Sequence, residues 1–530
     1  MNEPPRSLRL LARAFILIGL STRLACFLDQ DGRLFKQFPT EDGYLMLTIA
    51  RNLGLGRGMS TAEGWIPTNG TQPLFNFIEA IGFYLFDGSR RAGVTWALVC
   101  ELLLSIACAY GLYRLTLRLL AQRPAIASSS AYLAGAAWFA SPVIVPHSMN
   151  CLETTLYATF IVYSVEAWLT LWAGRAAPQV AWARAAAVGL LLGGCVWARI
   201  DAVFLVAAMT GCHFLLGARG GAARSRFAES FTMGAVAVLV ASPWLINNRI
   251  QFGSFMPISG TAQSLSASFG SNAAYVPSML VEYASVVLPI PQSLELLPIA
   301  LAVQLLVFAG YLVGLVVLAR AASESERGPL TLLAVHGGAL VAYYGLWFGA
   351  PHFVGRYLFP LSLYFAMATA VLVVEGWRRW GSRLPALAPA AGLAALALVG
   401  LLNVRLYRQG TQHMHFQVVD FVDRHAGEDV WVAAIQTGTL GFFHEKTVNL
   451  DGKVNPEALR MALGKHTPDY VVNARFGPEH RPIEWLADWE AIADWIAYEP
   501  ISSTFELVVR DEAHRLGVLK RRPTALAGTP

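Results

Sequence analysis

Residues 94–117 read VTWALVCELLLSIACAYGLYRLTL, and Arg118 and Arg123 follow. As a helix this stretch is about 36 Å long, enough to cross a hydrocarbon layer of about 30 Å. Its cations gather at one end, at Arg114, Arg118 and Arg123. An apolar helix closed by arginines on one side is the pattern of a membrane span with that side facing the cytoplasm. Working outward, the same kind of run recurs near 10–28, 127–146, 154–173, 182–198, 202–218, 230–248, 296–319, 329–349, 357–375 and 385–404. The expected fold is a multi-pass α-helical membrane protein of about 11 transmembrane helices.

The whole chain agrees. Of 530 residues, 55% are hydrophobic and 14% charged, against roughly 25% charged in soluble proteins. So little polar surface cannot cover a core of that size, and lipid must solvate the rest. The net charge of +5 does not point to nucleic acid, because the arginines sit in short clusters between apolar runs and no separate basic domain exists. The six cysteines (Cys26, Cys100, Cys108, Cys151, Cys195 and Cys212) lie in or beside apolar stretches without a CxxC pair. Buried small hydrophobes are the expected reading, not a disulfide framework or zinc site. No small-residue cleavage site follows the first run, so 10–28 is expected to remain as an anchor helix.

The arginine clusters continue as Arg6, Arg9 and Arg13; Arg175 and Arg184; Arg219, Arg224 and Arg226; Arg320 and Arg327; and Arg378, Arg379 and Arg383. Every second loop is basic, which predicts that these loops and the N-terminus face the cytoplasm. The apolar run Pro73–Phe86 is too short for a span and is expected to be an interfacial or re-entrant helix. Three segments then face outward: 29–92, about 249–295, and everything after about Asn403. The last is expected to form a small periplasmic α/β domain over 406–520, following a membrane module over 1–405, with a disordered tail at 521–530. Within it, 429–435 reads as a strand, Thr437–Gly441 as a turn, Pro456–Leu463 as a helix and Tyr470–Asn473 as a second strand.

The outward loops hold the unusual polar residues. Glu41 and Asp42 are adjacent carboxylates just ahead of a helical pattern, where one could serve as a general base. On spacing alone the plainer reading is favoured, because Thr40, Glu41 and Asp42 are all ordinary residues at the start of a helix. Glu153 ends one loop, Arg199 and Asp201 form a tight turn, and His352, Arg356 and Tyr357 share another. Arg199 with Asp201 reads equally as a local ion pair. Carboxylates, arginine and histidine gathered at one membrane face suit a substrate with a phosphate leaving group, since a guanidinium fork matches phosphate.

The segment Glu41-Asp-Gly-Tyr44…Ala50-Arg-Asn-Leu-Gly-Leu-Gly-Arg-Gly58, then Thr68-Asn-Gly-Thr-Gln-Pro-Leu-Phe75, resembles the first-loop signature of bacterial GT-C glycosyltransferases. That signature is close to Asp-Asp-Ala-Tyr…Ala-Arg-Asn-Leu…Gly, then Thr-Asn-Gly-X-His-Pro-Leu-Trp. Leu152-Glu-Thr154, Ala198-Arg-Ile-Asp201, Ser242-Pro-Trp…Asn248, Phe252-Gly-Ser…Pro257 and Gly355-Arg-Tyr-Leu358 are similar to later landmarks. Asn449-Leu-Asp-Gly-Lys-Val-Asn455 is similar to a Leu-Asp-Gly-Leu-Val-Asn segment in the soluble tail. The resemblance implies inverting transfer of a sugar from a polyprenyl-phosphate donor to a glycan, lipid or protein acceptor, outside the cytoplasm. Glu41 or Asp42 would be the base. Arg356, His352, Tyr357, Arg199, Asp201, Glu153, Asn69, Gln72 and Arg249 would line the donor and substrate site. This chain departs from the pattern at Glu41 (usually Asp), at Gln72 (often His), and at Gln263, near which a basic residue is often found.

Two other classes compete. A ligase or acyltransferase using lipid-linked substrates would place its key residues in a large late loop. A transporter or flippase would place polar residues at mid-membrane, and many are built from two related halves, of which the sequence shows no sign. No cofactor is implied. A divalent ion is possible, with oxygens from Glu41, Asp42, Glu153 or Asp201.

Overall fold

A computed structural model describes residues 4–28, 32–173, 178–217, 223–265, 267–277, 280, 283, 298–320, 322–349, 354–381, 383, 387–410 and 415–523. Helices stand where the apolar runs predict them: α1 (Arg6–Leu24), then, beyond the first loop, further helices from Arg90 onward. Eight of the described helices are long and apolar enough to cross a membrane. The predicted spans at 127–146, 154–173 and 296–319 coincide with the helices Pro124–Ala140, Thr154–Trp172 and Pro298–Arg320.

From Gly32 onward the first loop is described throughout. It carries α2 (Glu41–Gly54), capped by the Thr40 hydroxyl, which accepts from the Gly43 amide at 3.1 Å. The apolar run after it folds as α3 (Pro73–Leu85), of 13 residues, too short to span. Its outward side shows Phe77, Ile81, Tyr84 and Leu85, the face a helix lying at a lipid–water boundary would present. Next come α4 (Arg90–Leu119), capped by Ser89, and α5 (Pro124–Ala140). The elements that frame the site follow in order: α6 (Thr154–Trp172), α7 (Pro178–Ala198), α8 (Val203–Gly217), α9 (Ala223–Phe252), α10 (Ile258–Ser264), α11 (Glu324–Leu346) and the single turn α12 (Val354–Tyr357). The membrane module ends with α13 (Pro360–Trp380) and α14 (Leu387–Gln409). That last helix continues past the predicted module boundary at 405.

Beyond it a five-stranded sheet forms from β1 (Val432–Ala434), β2 (Thr447–Asn449), β3 (Trp485–Asp488), β4 (Phe505–Asp511) and β5 (Leu516–Arg521). The order is β2-β1-β3-β5-β4, parallel across β2, β1 and β3 and antiparallel from β3 to β4. Apolar side chains fill both faces, with Val448, Leu486 and Leu519 in one cluster and Val432, Ala487 and Val518 in the other. The expected α/β domain is present.

Three local readings are corrected. Tyr470–Asn473 is not a strand but the end of a helix, Thr467–Asn473. Pro468 sits in its first turn, where a missing N–H costs nothing, and Asp469 complements the dipole. A four-residue apolar run could not separate the two readings. Thr437–Gly441 does not turn back; it opens the short helix α15 (Gly438–Phe443). Arg521, placed in the disordered tail, belongs to β5 and is buried, donating to the carbonyls of Ile483 and Val471 at 2.7 and 3.2 Å. Residues 524–530 of that tail lie outside the described residues.

Candidate active site

Two interfaces fix the first loop. Below, Asn69 accepts from the Ile258 amide at 3.2 Å, and Gln72 accepts from the Ile200 amide at 3.3 Å, so the Thr68–Pro73 turn is pinned to α10 and to the Arg199–Asp201 turn. Above, the small domain sits directly on α2. Tyr44 meets Phe442 at 5.2 Å between ring centroids and Phe443 at 5.7 Å. Phe442 is 1% exposed, and burying such a ring contributes about 2–3 kcal/mol.

Glu41 and Asp42 part company here. The Glu41 carboxylate accepts from the Gly438 amide, the Thr439 amide at 2.9 Å and the Thr439 hydroxyl. It satisfies the open N–H groups at the start of α15. A side chain at Gly438 would place its Cβ 1.8 Å from the Glu41 carbonyl oxygen, so only glycine permits this approach. Asp42, one residue on, points elsewhere: its Oδ2 accepts from Arg356 Nη1 at 2.6 Å.

Asp42 borders a cavity of about 500 Å³. Its polar end also carries Gln72, Glu153, Arg199, Asp201, Tyr344, Arg356, Tyr357 and Lys453. Its apolar end is lined by Val196, Phe204, Ala237, Ala241 and Leu245 from α7, α8 and α9. The polar groups interlock. Arg199 Nη2 and the Tyr344 hydroxyl each donate to Asp201 Oδ2 at 2.6 Å. Arg199 Nε lies 3.8 Å from Glu153, and its Nη1 donates to the Arg356 carbonyl at 3.4 Å. The Tyr344 and Tyr357 rings stack at 4.6 Å, and both guanidiniums lie over the Tyr357 ring, Arg199 at 5.0 Å and Arg356 at 5.1 Å. Cations above an aromatic face are held without consuming their hydrogen-bond donors.

Of the residues expected in the site, Asp42, Gln72, Glu153, Arg199, Asp201, Arg356 and Tyr357 line the cavity. Asn69 acts behind it, as a fastener. Glu41 is turned to the small domain. Arg249 is not at the cavity: it is exposed at the end of α9 and donates to the Gly253 carbonyl four residues on. A basic residue at a helix C-terminus meets its own last turn more readily than a distant pocket. His352 lies outside the described residues.

The sequence reading missed Tyr344 and Lys453. Tyr344 sits inside an apolar span and carries no local signal. Lys453 lies in the quoted Asn449–Asn455 segment, where the resembling pattern has leucine, and it enters the cavity from the small domain. Burial alone would depress its pKa, but the carboxylates of Asp451 and Asp42 outweigh that and hold it above the ordinary lysine value. Also missed were two groups that build the site's frame. Glu101 accepts from the Cys151 and Leu152 amides at 3.1 and 3.2 Å, and Arg23 donates to Ser148 at 2.8 Å. Together they fix the turn that presents Glu153. Among the described residues no group of three or more His, Cys, Asp or Glu side chains is placed to hold a metal ion. Each cavity carboxylate faces a guanidinium instead.

The helical membrane module with its C-terminal α/β domain matches solved structures of the GT-C fold. The chain is similar to ArnT from Cupriavidus metallidurans bound to undecaprenyl phosphate, with 13% identity, a TM-score of 0.60, and coverage of 97% of this chain and 98% of that one. It is also similar to the archaeal oligosaccharyltransferase AglB from Archaeoglobus fulgidus in complex with an inhibitory peptide and a dolichol-phosphate. There the identity is 11%, the TM-score 0.53, and the coverage 98% of this chain and 74% of that one. An oligosaccharyltransferase from Archaeoglobus fulgidus in complex with zinc and sulfate is similar at a TM-score of 0.52, with 12% identity over 92% of this chain and 69% of that one. A family described as a domain of unknown function, DUF8728, matches residues 402–514. No curated protein sequence matches the chain.

Proposed function

We propose that this protein is a membrane glycosyltransferase that moves a sugar from a polyprenyl-phosphate donor to a cell-envelope glycan, lipid or protein acceptor. Its location is the bacterial inner membrane, with the N-terminus in the cytoplasm and the small domain and site on the periplasmic side, as the arginine series implies. The observation that carries the reading is the placement of Asp42. Its carboxylate borders a cavity whose lining joins an arginine-rich polar group to apolar residues of α7, α8 and α9. Two of the solved neighbours hold undecaprenyl phosphate and dolichol-phosphate, and a cavity lined by both arginines and apolar side chains suits a lipid phosphate.

The residues assign themselves to one displacement. Asp42 takes the proton of the acceptor hydroxyl, and that oxygen forms a bond to the anomeric carbon. The bond from that carbon to the donor phosphate oxygen breaks, and its electron pair stays on the phosphate. Attack opposite the leaving group inverts the anomeric centre. Arg356 faces the charge that develops on the phosphate. Its Nη1 donates to Asp42, and a donor phosphate that takes over the same guanidinium releases the carboxylate to act as base. Arg199, held by Asp201, Glu153 and Tyr344, keeps the floor of the site in place.

The test is glycan and lipid analysis of a strain lacking the protein. One terminal sugar should be missing, restored by the wild-type gene and not by Asp42→Asn, with equal protein in the membrane. Full restoration by Asp42→Asn would remove the base; an unchanged glycan and lipid profile in the deletion strain would remove the function.

A further inference from the structure

Lys453 is contributed by neither the membrane helices nor the first loop. It stands on a turn between β2 and the helix Pro456–Leu463 of the small domain, yet its side chain borders the same cavity as Asp42 and Arg356. That turn is rigid. The Lys453 amide donates to Asp451 Oδ1 at 2.9 Å, and the Gly452 amide donates to Asn449 at 3.0 Å. Val454 is fully buried against Leu45 and Ile49 of α2. The Lys453 carbonyl comes so close to Gly70 that a Cβ there would lie 1.9 Å away. Asp451, which does not line the cavity, holds the ammonium from behind at 3.2 Å.

Charge makes this placement consequential. Three acids line the cavity, Asp42, Glu153 and Asp201, and three cations, Arg199, Arg356 and Lys453. When a base among those acids takes up a proton, the lining becomes positive by one charge. Without Lys453 it would only become neutral. In a site screened from water a single ammonium close to a phosphate is worth far more than at an exposed surface.

We propose that Lys453 is a ligand of the donor phosphate, so that the small domain completes the leaving-group site. This rests on the polyprenyl-phosphate reading above. As the glycosyl–oxygen bond breaks, the phosphate passes from a diester to a monoester and gains negative charge. Lys453 and Arg356 then face that group from two different domains, and the product lipid phosphate is held until one of them lets go.

The probe is undecaprenyl phosphate, compared with undecaprenol, binding to the purified full-length protein in detergent by native mass spectrometry. Wild type should prefer the phosphate. Lys453→Gln and Lys453→Leu should each cut that preference about tenfold while leaving undecaprenol binding unchanged, and Lys453→Arg should keep most of it. Wild type without a preference overturns the donor reading itself. A wild-type preference retained in Lys453→Gln and Lys453→Leu overturns only the role of Lys453. An equal loss of undecaprenol and phosphate binding marks a structural role and also overturns it.

Discussion

Two clusters of arginine and carboxylate lie within one helix of each other, and they do opposite things. At the C-terminal end of α2, Arg51 and Arg57 each meet Glu445 of the small domain at 2.6 Å, and Arg90 approaches it at 3.5 Å. The space beside Arg51 and Glu445 is about 10 Å³, too little to admit a ligand. At the N-terminal end of the same helix, Asp42 and Arg356 are paired at the same 2.6 Å but border about 500 Å³. Ion-pair geometry is therefore no guide to which cluster works on a substrate. Volume and an apolar extension separate them: one cluster is a clasp between two domains, and the other borders the cavity proposed as the site.

The difference is broken most severely at Asp42 and Arg356. Asp42→Asn should lower the transfer rate about 10²–10⁴-fold, the usual contribution of a general base. Arg356→Ala should lower it about 10²–10³-fold, as removal of one preorganised charge partner does. Arg356→Lys should recover only part of that, since an ammonium lacks the planar fork. Single-turnover transfer with purified protein and a polyprenyl-phosphate sugar checks all three. Neither Asp42→Asn nor Arg356→Ala should shift the melting temperature downward by more than a few degrees, because both side chains border the cavity and not the packed core.

Glu41 sharpens the contrast, because it neighbours Asp42 in sequence and serves the clasp. Glu41→Gln keeps one acceptor but loses the charge, and its amide opposes one of the N–H donors of α15. Docking should weaken by about 1–3 kcal/mol, the value of a hydrogen bond to a charged group. Transfer should fall less than tenfold. Hydrogen exchange at 438–443, measured with the transfer assay, separates the two effects. A loss as deep as that of Asp42→Asn would give Glu41 the catalytic role instead.

Much of this was legible in the sequence, and the reasons differ by region. Apolar runs about 20 residues long report directly on helices, because the lipid solvent permits little else. The α/β character of the small domain was also legible, since β1 and the helix Pro456–Leu463 carry strong local signals. Tyr470–Asn473 was not, because four apolar residues cannot tell a strand from a buried helical turn. Seven of the expected cavity residues converge, since ionisable groups at the ends of apolar helices are costly without a purpose. What stayed hidden was set by tertiary packing. The sequence offers Glu41 and Asp42 as equals, and only the docking of Gly438 and Thr439 onto one of them separates the pair. Arg23 and Glu101 obey the same rule of costly buried charge, yet their purpose is to hold a turn. Lys453 is distant in sequence from every other cavity residue, and no spacing could have placed it there.

The smallest expected effect concerns the clasp and pH. Burial by itself would raise the Glu445 pKa, but Arg57 and Arg51 outweigh it and hold the carboxyl below its ordinary value. A carboxylate depressed in the docked state adds stability that is fully present above its free pKa, about 4.3. That stability is lost as the pH falls through the docked value. Above pH 6, Glu445→Gln should therefore loosen the domain by about 1 kcal/mol, since three partly exposed arginines share the lost charge. Hydrogen exchange of the Gly438–Phe443 amides should be faster in the variant than in wild type at neutral pH. The gap should close as the pH falls below the free carboxylate value and through the docked one, where wild-type Glu445 itself loses its charge. A gap that persists unchanged to acid pH would mean that the side chain acts through its shape and hydrogen bonds, and the clasp would then be a packing contact in which the charge of Glu445 has no part.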